Sequence, residues 1–204
     1  MPDLTLYTNP MSRGRIARWM LEEVGAPYET VLVDFADKGE LARHNPMAKV
    51  PTLRHGDVVV TEAPAICAYL ADAFPDAGLA PPASSTLRGP YYRWLFFGAG
   101  PVEAAVSNTA FGFAVPPERE GTIGYGSLAR VLDTLEGALG GRDWLVGDAF
   151  TTADLYVGAQ LGWGMMFGTI EARPAFRAYV DRVGARPAAI RAREIDDALL
   201  PPRD

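Results

Sequence analysis

A single cysteine, Cys67, is all that the chain carries, so no internal disulfide can form. No apolar stretch reaches the roughly 20 residues that a membrane helix needs. Lysine and arginine number 19 against 25 aspartate and glutamate, a net charge of -6, and neither sign gathers into a long run. That argues against a nucleic-acid surface. The opening Met1-Pro2-Asp3 has neither the basic stretch nor the apolar segment of a secretory signal. Internal repeats and low-complexity tracts are missing as well. The expectation is a soluble, cytoplasmic protein. What the chain does have is 49% hydrophobic residues over 204 positions, enough for one large domain or two small ones.

The first third alternates strand and helix signals. Leu4 to Tyr7 alternate as a short strand does, and Asn9-Pro10 stops the run. Ile16, Met20 and Val24 then fall four apart, with Arg15, Arg18, Glu22 and Glu23 on the other side, which predicts an amphipathic helix ending at Gly25. Tyr28 to Val33 reads as a second strand, and Asp34 to Asn45 as an irregular, partly helical connection. A βαβ arrangement of this kind predicts a parallel pair. Val50 to Leu53 and Val58 to Val60 flank Gly56-Asp57, a pair suited to a tight hairpin turn. Pro64 opens another helix whose Ile66, Leu70 and Phe74 repeat every four residues up to Pro75. The predicted order is βαβαββα.

Residues 77 to 86 are rich in turn formers and have no apolar period, which marks a linker between a domain of residues 1–76 and one of residues 87–204. Beyond it the strand signals vanish. Leu128, Val131, Leu132, Leu135 and Leu139 trace one helix, and Thr151 with Asp154 forms the N-cap pattern of another, Phe150 preceding it. The second domain is expected to be all-helical.

Four stretches, in this order and spacing, resemble a glutathione transferase of the cytosolic, bacterial type. They are Leu6 to Arg15 at the first turn, Asn45 to Leu53, Thr61 to Leu70, and Trp144 to Asp154. The resemblance implies a thioredoxin-like α/β N-terminal domain followed by an all-α C-terminal domain that completes a pocket for an electrophile. It also implies glutathione as co-substrate, no metal, a homodimer, and a cis peptide bond at Pro51 of the Lys49-Val50-Pro51-Thr52 turn.

Glutathione is a small peptide with a thiol, two carboxylates and an amine. Its receptor needs a strand edge, anion sites and a group that stabilises a thiolate. By the resemblance, Val50 beside Pro51 pairs with the cysteinyl portion as an added strand does. Glu62 and Ala63 stand at the start of the helix near Pro64, where free N–H groups and the helix dipole favour the γ-glutamyl carboxylate and Glu62 its ammonium. Most relatives place Ser or Thr where this chain has Ala63. Lys49 faces the glycyl carboxylate in the same reading, or is simply solvated.

Lowering a thiol pKa from about 8.5 by about two units takes roughly 2.7 kcal/mol of preferential thiolate stabilisation. One charge-assisted hydrogen bond contributes about 1.5–3 kcal/mol, so a single hydroxyl at a helix start suffices. Ser12 is the first candidate, with an ordinary N-cap as its alternative role. Tyr7 and Asn9 are the alternatives, Tyr7 also reading as a strand residue in the core. The first turn has no cysteine, which argues against mixed-disulfide chemistry, and Cys67 reads as core. For the electrophile the densest aromatic region is Tyr91, Trp94, Phe97, Phe111 and Phe113, with Trp163, Met165, Met166 and Phe167 as further candidates for pocket or core. Arg13 and Arg15 would serve an isomerase that binds an anionic substrate.

Overall fold

A computed structural model of the chain describes residues 3–200; Met1, Pro2 and residues 201–204, where the two expected domains begin and end, lie outside the described residues. By packing the chain divides into two units, Met1–Leu79 with Ala185–Asp204, and Ala80–Gly184.

The first unit is built on a strand buried along its whole length. β1 (Leu4–Thr8) pairs in parallel with β2 (Tyr28–Leu32) on one side and antiparallel with β3 (Thr52–His55) on the other, and β4 (Val58–Thr61) closes a hairpin on β3. The sheet order is β2-β1-β3-β4. Gly56 turns the hairpin at φ +58°, a conformation glycine takes without steric cost. α1 (Gly14–Val24) connects β1 to β2 and ends on Gly25 at φ +69°. α2 (Leu41–His44) is one short turn, and α3 (Ala63–Ala73) follows β4 directly. The βαβαββα order read from the sequence is therefore the observed one, in a thioredoxin-like arrangement.

α1 packs on α3. Their buried residues are Ile16, Ala17, Met20 and Leu21 on α1, and Ile66, Cys67 and Leu70 on α3. Burial pushes the Cys67 thiol well above its ordinary range, because a thiolate there would lose its water. Native protein is accordingly expected to resist iodoacetamide at pH 7.5, with one equivalent taken up only after unfolding. Labelling at the rate of a free thiol would contradict this placement. A separate small cluster holds Tyr7, Val33 and Leu41, flanked by Val31 and Val50.

The last helix, α9 (Pro187–Ala198), lies against α1 and so counts with the first unit, whereas the sequence reads residues 87–204 as one domain. Among the described residues, the ion pairs Arg15–Asp197, Arg18–Asp196 and Glu22–Arg191 join the two helices, and Arg186, just before α9, pairs with Glu23. Of these, Arg18–Asp196 is buried on both sides. Tyr28 donates to Glu22 and accepts from Arg18, and burial together with the Glu22 carboxylate lifts its phenol to about 12.

The second unit is all-helical, as expected. α4 (Arg88–Phe97) runs through a π-helical segment, Gly98–Val102, into α5 (Glu103–Ala110). Pro101 lies inside that segment and has no N–H to give to a regular turn. α6 (Leu128–Leu139), α7 (Thr152–Met166) and α8 (Pro174–Gly184) complete it. Gly158 is small because α8 passes close: a Cβ there would stand 2.7 Å from Val183. The N-cap read at Thr151 is present, with the Asp154 carboxylate accepting from the Thr151 N–H at 2.8 Å. The same carboxylate also accepts from the Leu145 N–H and the Tyr179 hydroxyl. Burial raises the Asp154 carboxyl, and those donors pull the other way. No described helix is long and apolar enough to cross a membrane.

Candidate functional site

Register across the sheet decides what meets at its end. Tyr7 of β1 pairs with Thr52 of β3, and Thr52 with Thr61 of β4. One row therefore carries three exits: the turn after β1, the loop that enters β3, and the passage from β4 into α3. The stretches around Ser12, Val50 and Glu62, separated by about 50 residues of chain, come to the same edge.

In the first turn both ends of the Asn9 side chain are bonded. Its amide donates to the Val33 carbonyl at 3.0 Å, and its side-chain oxygen accepts from the Met11 N–H at 2.9 Å. Ser12 is half-buried; its hydroxyl donates to the Asn9 carbonyl at 2.6 Å and accepts from the Gly14 N–H at 3.0 Å. Gly14 cannot be larger, since a Cβ would fall 1.8 Å from the buried Thr8 hydroxyl oxygen. Tyr7 is core: its ring lies in the Val33–Leu41 cluster and its hydroxyl is 3.1 Å from His44 Nε2.

The loop into β3 contains a cis peptide bond at Val50–Pro51, as the resemblance implies. Asn45, buried, holds that loop from within. It donates to the Lys49 carbonyl at 2.9 Å and the Thr52 hydroxyl at 3.2 Å, and accepts from the Met47 N–H at 3.0 Å. Among the described residues no backbone bond occupies the N–H or C=O of Val50.

Glu62 is exposed and takes φ +68°, ψ +119°. A non-glycine residue pays about 1–3 kcal/mol for such a conformation, which persists where the surroundings impose it and is common at ligand clamps. It turns the chain sharply into α3, whose first N–H groups then end the row. Pro64 has no N–H, so Ala63 and Ala65 supply the donors there.

Comparison with known proteins shows the family of the chain. Residues 2–72 match the N-terminal domain model of glutathione S-transferases and residues 102–187 the C-terminal one. Glutathione S-transferase 3 of Zea mays is 30% identical over 92% of this chain and 92% of its own. A glutathione transferase structure from Methylococcus capsulatus str. Bath is 32% identical, with TM-score 0.80 over 96% of this chain and 99% of that one. A sphingomonad glutathione S-transferase solved in complex with glutathione is also 32% identical, with TM-score 0.78 over 95% and 98%. The chain belongs to the glutathione S-transferase family.

Within this glutathione S-transferase the aromatic candidates divide sharply by exposure. Tyr91 and Trp94 are buried in the helical unit, Trp94 meeting Phe97 edge-on and Arg93 over its face at 4.0 Å. Side chains so enclosed pack the helices. Phe111 is 80% exposed and Phe113 66% exposed, and Phe113 borders a cavity of about 240 Å³ with Tyr125 and Leu128. Met166 and Phe167 are exposed at the end of α7, where Trp163 meets Phe167 edge-on; Met165 is half-buried. Lys49 is exposed and has no acidic partner among the described residues. Arg15 is occupied: it bonds the Pro10 carbonyl and pairs with Asp197. Sequence reasoning missed His44, Asn45 and Asp197. Of these only Asn45, next to a proline in the Asn45–Leu53 stretch, carried a local signal.

Proposed function

We propose that this glutathione S-transferase binds glutathione at the row-end of its four-stranded sheet and activates the thiol there for attack on an apolar electrophile or a peroxide. The observation that supports the reading is the Tyr7–Thr52–Thr61 row, which is continued within one unit by the first turn with Ser12, the loop backbone at Val50 and the start of α3. Val50 receives the cysteinyl backbone as a strand neighbour does. The N–H groups of Ala63 and Ala65 take the γ-glutamyl carboxylate, Glu62 the ammonium, and Lys49 the glycyl carboxylate.

Ser12 is the thiol's donor. Its oxygen already accepts from Gly14 at the start of α1, so the hydroxyl proton has only to leave the Asn9 carbonyl for sulfur. Tyr7 and Asn9 have their polar groups engaged elsewhere, with His44 and with Val33 and Met11. Of the five aromatic candidates in the helical unit, Phe111 and Phe113 are exposed, Phe97 is half-buried, and Tyr91 and Trp94 pack between the helices.

The protein works as a homodimer in the cytoplasm. Supporting the dimer, α4 exposes a stacked Tyr92–Phe96 pair and the edge strand β4 exposes Val58 and Val59. Sedimentation equilibrium should give twice the 22.0 kDa chain mass at micromolar concentration, and a species of one chain mass would exclude the dimer.

The test of function is retention on immobilised glutathione followed by turnover across aryl halide, peroxide and maleyl substrates. Retention with turnover of the halide or peroxide is expected. Retention without turnover would make the protein a binding protein, and turnover of the maleyl substrate alone an isomerase.

A further inference from the structure

Arg15 stands between the thiol turn and the last helix. Its Nε–H donates to the Pro10 carbonyl at 2.6 Å, and its Nη2–H donates to Asp197 Oδ1 at 2.7 Å. Pro10 lies between Asn9 and Met11, inside the turn that carries Ser12. Apart from the Asn9 amide on Val33, the hydrogen bonds of Asn9 and Ser12 stay within the turn and the start of α1. Arg15 thus links the turn to α9.

The far end of that link is anchored independently. Asp196, one residue before Asp197, is fully buried against Arg18 at 2.8 Å, and Arg186 clasps Glu23 through two bonds of 2.7 Å. Asp197 therefore sits on a helix whose placement along α1 does not depend on Arg15. Arg15 is 22% exposed, and its long side chain would otherwise turn to water.

We propose that Arg15 and Asp197 are positioning residues for thiol activation: Asp197 fixes the guanidinium, the guanidinium fixes the Pro10 carbonyl, and the turn holds Ser12 where the sulfur arrives. This rests on the reading of the first turn as the thiol site. The physical reason is geometric. A donor aimed at developing charge loses much of its effect when displaced by an ångström, and a planar two-armed guanidinium can hold two acceptors at a fixed separation where a single ammonium cannot.

The experiment is the absorbance of thiolate in full-length protein saturated with glutathione, titrated against pH, together with kcat and KM for an aryl halide. Asp197→Ala and Arg15→Ala should each raise the midpoint by about half a unit, a threefold loss of thiolate preference, with the loss falling on kcat. Arg15→Lys keeps the charge but cannot span both acceptors, and should shift the midpoint in the same direction. Asp197→Asn, whose amide oxygen still accepts, should recover most of the wild-type value. Arg191→Ala removes an α1–α9 ion pair far from the turn, and should lower Tm without moving the midpoint.

A midpoint unmoved in Asp197→Ala and Arg15→Ala, with only Tm lowered, would overturn the proposal. So would full recovery by Arg15→Lys, which would make the charge alone responsible. Ser12→Ala, run alongside, separates the two readings. If it moves the midpoint while Asp197→Ala does not, the brace fails and the site stands. If it does not move the midpoint while Asp197→Ala does, the brace stands and acts through another donor of the turn.

Discussion

Replacing Asp196 by alanine is expected to destabilise the protein by about 3–5 kcal/mol, because it strands a buried arginine. Arg18 is 1% exposed and its only carboxylate partner among the described residues is Asp196, itself 0% exposed, at 2.8 Å. Its other hydrogen bonds go to neutral oxygens, the Tyr28 hydroxyl and the Thr30 hydroxyl, both at 3.1 Å. Those do not replace a negative charge. Burial disfavours the ionised Asp196 and raises its carboxyl, while Arg18 pulls it back. The pair as a whole therefore contributes little beyond what a well-packed apolar pair would, and the cost appears when one member is removed alone. Asp196→Asn, which keeps an acceptor, should cost clearly less than Asp196→Ala. For a chain of this size the alanine variant should lose about 10 °C or more in Tm. Urea unfolding within about 1 kcal/mol of wild type would show that water reaches Arg18 and that the site is not dry.

Ser12→Ala is expected to lower turnover of a chlorinated aromatic roughly tenfold or more. Donors to a developing anion commonly contribute about 10²–10³, and water replaces part of that once the hydroxyl is gone. Arg13, not Ser12, is the N-cap of α1, but the variant still loses the hydrogen bonds to the Asn9 carbonyl and the Gly14 N–H, about 0.5–1.5 kcal/mol each. Rates must therefore be compared at a temperature where both proteins are folded. Tyr7→Phe should change turnover little, since the phenol it removes bonds His44. Unchanged turnover in Ser12→Ala with a large loss in Tyr7→Phe would reverse the two roles.

Most of the first unit was legible because its signals are local. Apolar residues four apart mark α1 and α3, alternation marks β1, and Gly25 and Gly56 sit where the chain needs positive φ. α9 was not legible as a partner of α1. Its buried positions are Ala188, Ala189, Ala192 and an aspartate, a weak apolar period whose Asp196 reads as a solvated charge until Arg18 is placed against it. Which rings of the dense aromatic region are exposed was not legible for a related reason: a cluster of rings in sequence says nothing of which way each faces. Tyr91 and Trp94 point inward, whereas Phe111 and Phe113 lie just past the end of α5 and are exposed. The candidate thiol residues were nameable from the first turn alone. What Tyr7 and Asn9 bond depends on His44 and Val33, which only the fold brings near.

A crystal structure of the protein with glutathione bound tests the central claim most directly. The account predicts the cysteinyl backbone paired with Val50, the γ-glutamyl carboxylate on the N–H groups at the start of α3, and the sulfur within about 3.5 Å of Ser12 Oγ. Glutathione bound with its sulfur on Tyr7, or away from the row-end of the sheet altogether, would contradict it.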